Sequence, residues 1–312
     1  MTQEVVKIET VVQAGTFNFN LAEKWLSFAQ VSAASVKAYE KGLKRLQEYF
    51  LVNQIITPNR ADMVTYREYL GKKYQPTTAN LYLTAAKLFM AFLQIEGYIS
   101  VNPCEHLKGF KLSKEHKKSA LSTEMTKAVL RKFDTSTLAG VRDYAMYLLM
   151  TTCGLRCIEV QRATISDIEV VGSVIRLHVQ GKGHTQKDNA VNVPAGVYSA
   201  ICEYLEKRGA VADDSPLFTS VSRRNYGGRL TTVSISRIIK KALRDGGYDS
   251  PRLTAHSLRH TTATTALQFG ASLREVQQLL RHTKIDTTTI YLHELDALNN
   301  QASTFAANAF GI

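Results

Sequence analysis

The sequence predicts a mainly α-helical protein with a small antiparallel β-sheet, built as an N-terminal helical bundle followed by an α+β domain. Three observations predict it. Apolar residues recur at three- and four-residue spacing through residues 20–103, three short β-rich runs appear only after residue 167, and a lysine-rich stretch without apolar periodicity divides the two regions.

In the first region, residues 35–52 carry Val36, Tyr39, Leu43, Leu46, Tyr49 and Phe50, and residues 61–74 follow the helix-start pair Pro58 and Asn59. Residues 77–97 carry Leu81, Leu88, Phe89, Phe92 and Leu93. With a shorter helix over 22–28 they make a small bundle, whose aromatics read as core rather than as a base-stacking platform. After Asn102 and Pro103, residues 108–118 hold five lysines against one acid, which reads as a linker able to follow a polyanion. The expected organisation is a helical domain over 16–104, a basic linker over 105–119, a second domain over 120–296 and a tail over 297–312.

The second region mixes structure types. Helices are expected over 123–133, 138–152 and 158–162, then strands over 168–171, 174–179 and 190–193, with Gly172 and the Gly181-Lys182-Gly183 turn between them. Helices resume over 197–207, 232–243, 257–269 and 273–280 and end near Tyr291. The tail carries Leu298, Phe305 and Phe310, apolar enough either to dock on a neighbouring subunit or to fold back on its own domain.

A chain of 312 residues exceeds one usual domain, and 45% hydrophobic with 21% charged residues is globular composition that excludes extensive disorder. The formal net charge is +12. Residues 1–118 carry 16 basic and 10 acidic side chains and the remainder 23 and 17, so both regions can face one polyanion, and nucleic acid is the commonest such partner. Cys104, Cys153, Cys157 and Cys202 fit neither paired zinc knuckles nor a disulfide framework and read as reduced core thiols. Residues 1–15 lack the order of a secretory signal, and no apolar run reaches the ~18 residues of a membrane span, so a cytoplasmic protein is expected.

Four segments carry residues able to do chemistry. His256 and Arg259 lie three apart near a helix start, a spacing that turns both to one face and lets a guanidinium and an imidazole share a phosphate. His282 ends a helix and Tyr291 follows nine residues later, an interval that a turn and a short helix would fill. Arg156 follows Gly154 in an apolar neighbourhood and needs anionic company, for which Glu159 stands near. Lys182 sits on the glycine-rich turn between strands, free to reach into a groove. Taken singly, each has an ordinary explanation: a surface helix start, a core tyrosine, a structural ion pair, a solvated hairpin lysine.

Together, and in this order, the segments resemble the tyrosine recombinase family, the phage-type integrases, in a Xer-like form. The resemblance covers residues 120–295, and the helical first region looks like the family's SAM-like core-binding domain. It implies an enzyme that cleaves and rejoins double-stranded DNA through a 3′-phosphotyrosyl intermediate, with no cofactor and no metal, acting as a homo-tetramer on paired duplexes. It further implies that Tyr291 is the nucleophile, that Arg156 and Arg259 hold the non-bridging oxygens, that Lys182 protonates the departing 5′ oxygen, that His256 assists proton transfer and that His282 hydrogen-bonds the phosphate. Two departures stand out: Arg281 occupies the place of the family's glycine before the second histidine, and Lys187 on the same hairpin could compete with Lys182. The alternatives are a type IB topoisomerase, a DNA-binding protein that keeps only the fold, and a metal-dependent hydrolase using His256 and His260 with His282 or His293.

Overall fold

Side chains that repeat every third or fourth position need a second helix to cover them, and the first region meets that need within itself. The computed structural model describes residues 20–112, 119–181, 185–298 and 300–311. Residues 1–15, the basic run 113–118 and Lys182 therefore lie outside the described residues. The chain divides into two compact units, with the division at residues 115/116.

The first unit holds α1 (Leu21–Phe28), α2 (Ala33–Val52), α3 (Arg60–Lys73) and α4 (Pro76–Ile95). Asn59 starts α3 with a reciprocal cap, its side chain accepting from the Ala61 N–H at 2.7 Å while Asp62 Oδ2 accepts from the Asn59 N–H at 2.8 Å. Pro76 opens α4, where its missing N–H costs nothing. Leu46, Phe50, Met63, Tyr66, Leu83, Phe89 and Leu93 form the core, and Trp25 closes it by packing on Phe89 and Tyr39. Gly42 lets α2 approach α4, since a Cβ there would stand 2.8 Å from Ala85 Cβ.

The structure adds two points here. Leu81 and Leu88 are exposed, because Ala79, Leu83, Ala86, Met90 and Leu93 define the buried face of α4 and the two leucines lie roughly opposite at ~100° per residue. The basic stretch also starts as a docked segment: Leu107 is buried, Arg67 Nε donates to the Lys108 carbonyl at 2.7 Å, and its guanidinium lies 4.5 Å from the Phe110 ring centroid. Asn80 exchanges two hydrogen bonds with the Phe110 backbone. Such side-chain-to-backbone clamps leave no local periodicity to read.

The second unit opens with α5 (Thr123–Leu130), α6 (Leu138–Cys153) and α7 (Cys157–Arg162). Strands β1 (Ile168–Val171), β2 (Val174–Val179) and β3 (Asn189–Asn192) pair antiparallel in that order, with Ile168 opposite Leu177 and Leu177 opposite Val191. Leu177, Val179 and Val191 turn inward, so one face of the sheet joins the core. Next come α8 (Ala195–Arg208), α9 (Thr232–Asp245), α10 (Ala255–Gln268), α11 (Leu273–Leu280), α12 (Asp286–Leu298) and α13 (Ala302–Ala309). Helix α6 is the centre of this unit, with Val141, Ala145, Met146, Tyr147, Leu149 and Met150 all buried.

The chain thus has the mainly helical architecture with a three-stranded sheet that its sequence predicts. The end differs, for α12 runs past Tyr291 and α13 forms within the tail. Helix α13 buries no side chain, and Phe305 and Phe310 are exposed. The four cysteines are free thiols, but only Cys104 and Cys153 are core; Cys157 is half-buried and Cys202 exposed on the outer face of α8. No helix among the described residues is long and apolar enough to cross a membrane.

Candidate active site

Helix α6 stops at Gly154, whose φ of +59° is the left-handed cap that glycine adopts without a Cβ penalty. The turn releases Arg156 just before α7. Its N–H donates to Glu159 Oε2 at 2.8 Å and its Nη1 to Glu159 Oε1 at 2.9 Å. The Glu159 side chain is fully buried. Burial alone would push that carboxyl up, but Arg281 together with the Arg156 N–H and guanidinium holds it below the ordinary carboxylate range.

Helix α10 begins at Thr254, whose N–H donates to Ser257 Oγ at 3.0 Å. It is pinned to the end of α6 by Thr262, whose hydroxyl donates to the Thr151 carbonyl at 2.7 Å. His256 is exposed on its first turn, whereas Arg259 is buried at 1% exposure. Arg259 Nη1 donates to the Gly154 carbonyl at 2.6 Å, and Nη2 donates to the Leu280 carbonyl. Burial, with Arg156 and Arg281 nearby, lowers its pKa to about 9, which leaves it charged at neutral pH.

The end of α11 carries the departure noted in the sequence. Arg281 adopts φ +54° and ψ +47°, the left-handed cap conformation of a glycine, so the turn is kept without the glycine. Its guanidinium turns inward, to Glu159 Oε2 at 2.8 Å and the Leu279 carbonyl at 2.6 Å. His282 follows, with Nδ1 at 2.9 Å from the Thr288 hydroxyl. Burial, then the Arg259, Arg156 and Arg281 guanidiniums, lower its pKa to about 4, so it is neutral at physiological pH.

Helix α12 brings Tyr291 beside these groups. The phenol is 3% exposed; its ring lies nearly parallel to His282 (12°, centroids 6.5 Å apart) and edge-on to His260 (5.2 Å), which in turn meets His256 at 4.8 Å. A cavity of about 460 Å³ is lined by Arg156, His256, Arg259, His282 and Tyr291. It adjoins a larger one of about 810 Å³ lined by Arg156, Glu159, Gly181, Arg274 and Arg281. Five of the six residues singled out in the sequence therefore share one concave site, assembled from α6–α7, α10, α11 and α12.

The sixth, Lys182, lies outside the described residues, but both flanks of its turn are held. Arg162 Nη1 donates to the Gly181 carbonyl at 2.8 Å, and Lys187 Nζ is paired with Asp167 at 2.6 and 2.7 Å while donating to Thr164 Oγ1 at 3.1 Å. Lys187, the rival for the acid's role, is thus engaged in an ion pair. Among the described residues no group of three or more His, Cys, Asp or Glu could hold a metal ion; the His293 side chain is not among them.

Residues 24–97 match the phage integrase N-terminal SAM-like domain, and residues 120–297, more than half of the chain, match the phage integrase family. The chain belongs to the phage integrase family of tyrosine recombinases. A tyrosine recombinase XerD of Listeria monocytogenes serovar 1/2a is 30% identical to this recombinase over 284 residues, 88% of this chain and 94% of the relative. A crystal structure of the XerH site-specific recombinase bound to a palindromic difH substrate, a post-cleavage complex, shares its fold with a TM-score of 0.72 at 21% identity, over 94% of this chain and 85% of that one. A lambda integrase tetramer bound to a Holliday junction shares the fold with a TM-score of 0.67 at 16% identity, over 87% of this chain and 75% of that one. The recombinase is accordingly an enzyme that cleaves and rejoins DNA at specific sites through a phosphotyrosyl link, and neither the topoisomerase nor the metal-hydrolase reading finds support.

Sequence reasoning missed three features of the recombinase site. Thr288, the buried partner of His282, sits in a run of three threonines with nothing to single it out. The Gly154 and Leu280 carbonyls that hold Arg259 are backbone groups with no sequence signature. The Arg281–Glu159 pair had a signal in the departure from glycine, which marked the residue without revealing its partner.

Proposed function

We propose that Tyr291 is the nucleophile of this recombinase and that Arg156, Arg259, His256, His282 and Lys182 form the rest of its catalytic set. One observation carries the reading: a phenol from α12 shares a cavity with three arginines and three histidines contributed by three other segments of chain, Arg156, Arg259, His256 and His282 among them. In-line attack of the Tyr291 oxygen on a backbone phosphorus forms a 3′-phosphotyrosyl bond and breaks the bond to the 5′ oxygen. Charge builds on the equatorial oxygens during transfer, where Arg259 is already fixed by two backbone carbonyls and Arg156 stands within reach at the cavity wall. His256, exposed at the cavity mouth, assists removal of the phenolic proton, and Lys182 supplies one to the departing 5′ oxygen. Neutral His282 hydrogen-bonds a phosphate oxygen. One phosphodiester replaces another of similar free energy, so rejoining requires no nucleotide cofactor and the reaction runs in chelator.

We also propose a homo-tetramer on two paired duplexes, in the cytoplasm where the DNA substrate lies. The exposed Phe305 and Phe310 of α13, which finds no cover in its own unit, support docking of this helix on a neighbouring subunit. The test is covalent capture from a random-sequence pool of nicked duplexes, followed by mapping of the DNA-linked peptide. Recovery of the peptide containing Tyr291 is expected; a link at any other tyrosine overturns the assignment. Removal of residues 300–312 is expected to abolish the four-subunit assembly on captured DNA, and its persistence would exclude docking in trans.

A further inference from the structure

The buried carboxylate of Glu159 serves two guanidiniums of different freedom. Arg156, with its side chain 30% exposed, reaches Glu159 from the cavity through a single Nη1 contact of 2.9 Å. Arg281, 7% exposed, takes the other oxygen through Nη2 at 2.8 Å and lies 3.5 Å from the first through Nε. It is further anchored by the Leu279 carbonyl at 2.6 Å and the Gly154 carbonyl at 3.4 Å. Arg156 can therefore swing, and Arg281 is held.

We propose that Arg281 is a positioning residue for strand transfer: it keeps Glu159 paired while Arg156 leaves that carboxylate to grip the scissile phosphate. The inference rests on the reading of Arg156 as a phosphate-holding residue. Without a second partner, departure of Arg156 would strand a fully buried negative charge, a strongly unfavourable state, and Glu159 would compete with the substrate for the same guanidinium. With Arg281 in place the carboxylate stays neutralised whichever way Arg156 points. Arg281 also adopts a left-handed backbone that arginine rarely takes, so its side-chain contacts must offset that strain. Because its Nη2 shares the Gly154 carbonyl with Arg259, the same side chain braces the acceptor that aims the second phosphate-holding arginine.

The decisive comparison uses the full chain and the variants R281G, E159Q/R281G and R274Q. Glycine suits the backbone at 281, so R281G is expected to fold with an unchanged or raised thermal midpoint. Two readouts are taken: binding of inorganic phosphate by calorimetry, and the rate of covalent capture of a nicked duplex selected on the unaltered chain. We expect R281G to lose about tenfold or more in both, and E159Q/R281G to recover most of the loss because the stranded charge is gone. R274Q, which removes an equal charge from the exposed wall of the adjoining cavity, should lose less than R281G. The proposal is overturned if R281G matches the unaltered chain, if the double variant is no better than R281G, or if R274Q loses as much, which would leave net charge as the whole effect. Should no duplex be captured by the unaltered chain, the recombinase assignment of the site is what fails, and the phosphate measurement still decides the role of Arg281.

Discussion

The carbonyl oxygen of Gly154 accepts a hydrogen bond from Arg259 Nη1 at 2.6 Å, so the glycine that stops one helix also aims an arginine on another 105 positions away. At φ +59° any other residue is strained, and an added Cβ would stand 2.6 Å from Leu280 Cδ2, inside a fully buried contact. Gly154→Ala is expected to lower stability by about 1–2 kcal/mol from the backbone alone, and to slow cleavage because both carbonyl acceptors of Arg259, on Gly154 and Leu280, are displaced. Gly172→Ala supplies the comparison: it has φ +59° with nothing within 4 Å, so it should destabilise without slowing cleavage. Urea midpoints and capture rates of the two variants separate strain from aim.

His282 sets a pH dependence whose sign is fixed by its burial among cations. Its pKa is lowered to about 4 in the folded chain, against about 6.5 when unfolded, so between these values the unfolded chain binds the extra proton. The contribution of His282 to stability is complete above pH ~6.5 and is lost as pH falls towards ~4. Denaturant midpoints measured across that window should fall with decreasing pH, and His282→Asn should flatten part of the slope. An equal slope in both chains would place the titration elsewhere.

The fold was largely legible because it is periodic. Helices α2, α4, α6 and α11 and the two β-hairpin partners repeat their apolar positions at the spacing their backbone imposes, and Gly172 marks the tight connection. What periodicity could not decide was which face of an apolar helix is covered: Leu81 and Leu88 share the helical spacing of the core residues and lie outside. Helix α13 was illegible for a related reason: a helix that buries nothing in its own chain leaves no pattern of burial to infer. In the site, the chemistry-bearing side chains announce themselves by type and order. Their supports do not, since Glu159 and Arg281 meet across 122 positions and Arg259 is held by backbone carbonyls that every sequence possesses.

The two hairpin lysines should separate cleanly. Lys187 is committed to Asp167, so Lys187→Ala is expected to lower the unfolding midpoint and leave the chemistry of capture intact. Lys182→Ala should keep the midpoint and slow capture of an ordinary duplex. A duplex with sulfur in place of the departing 5′ oxygen needs no proton on leaving, so it should restore the Lys182→Ala rate. Restoration by sulfur for Lys187→Ala instead would exchange the two roles.

Arg156 and Arg259 are expected to matter equally to rate and unequally to stability. Replacing either with Ala should slow cleavage by at least ~10², the usual loss for a preorganised donor at a developing charge. Arg259→Ala also leaves the buried Gly154 and Leu280 carbonyls short of a donor, at about 1–3 kcal/mol for a lost buried partner. Arg156→Ala should cost little stability, since Arg281 keeps Glu159 paired. Parallel measurement of urea midpoints and capture rates tests both halves, and an equal loss of stability would contradict the asymmetry.

Tyr291→Phe isolates the hydroxyl from the ring. The ring is 3% exposed and packs on His260 and His282, contacts that phenylalanine retains, so the variant should fold. Arg156, Arg259 and the chain's net charge of +12 are untouched, so DNA binding should persist at the unaltered salt dependence. Only the atom that would join the phosphorus is missing, and no covalent adduct should form with a nicked duplex at any time. A captured product in this variant would move the nucleophile to another tyrosine and with it the meaning of every neighbouring charge.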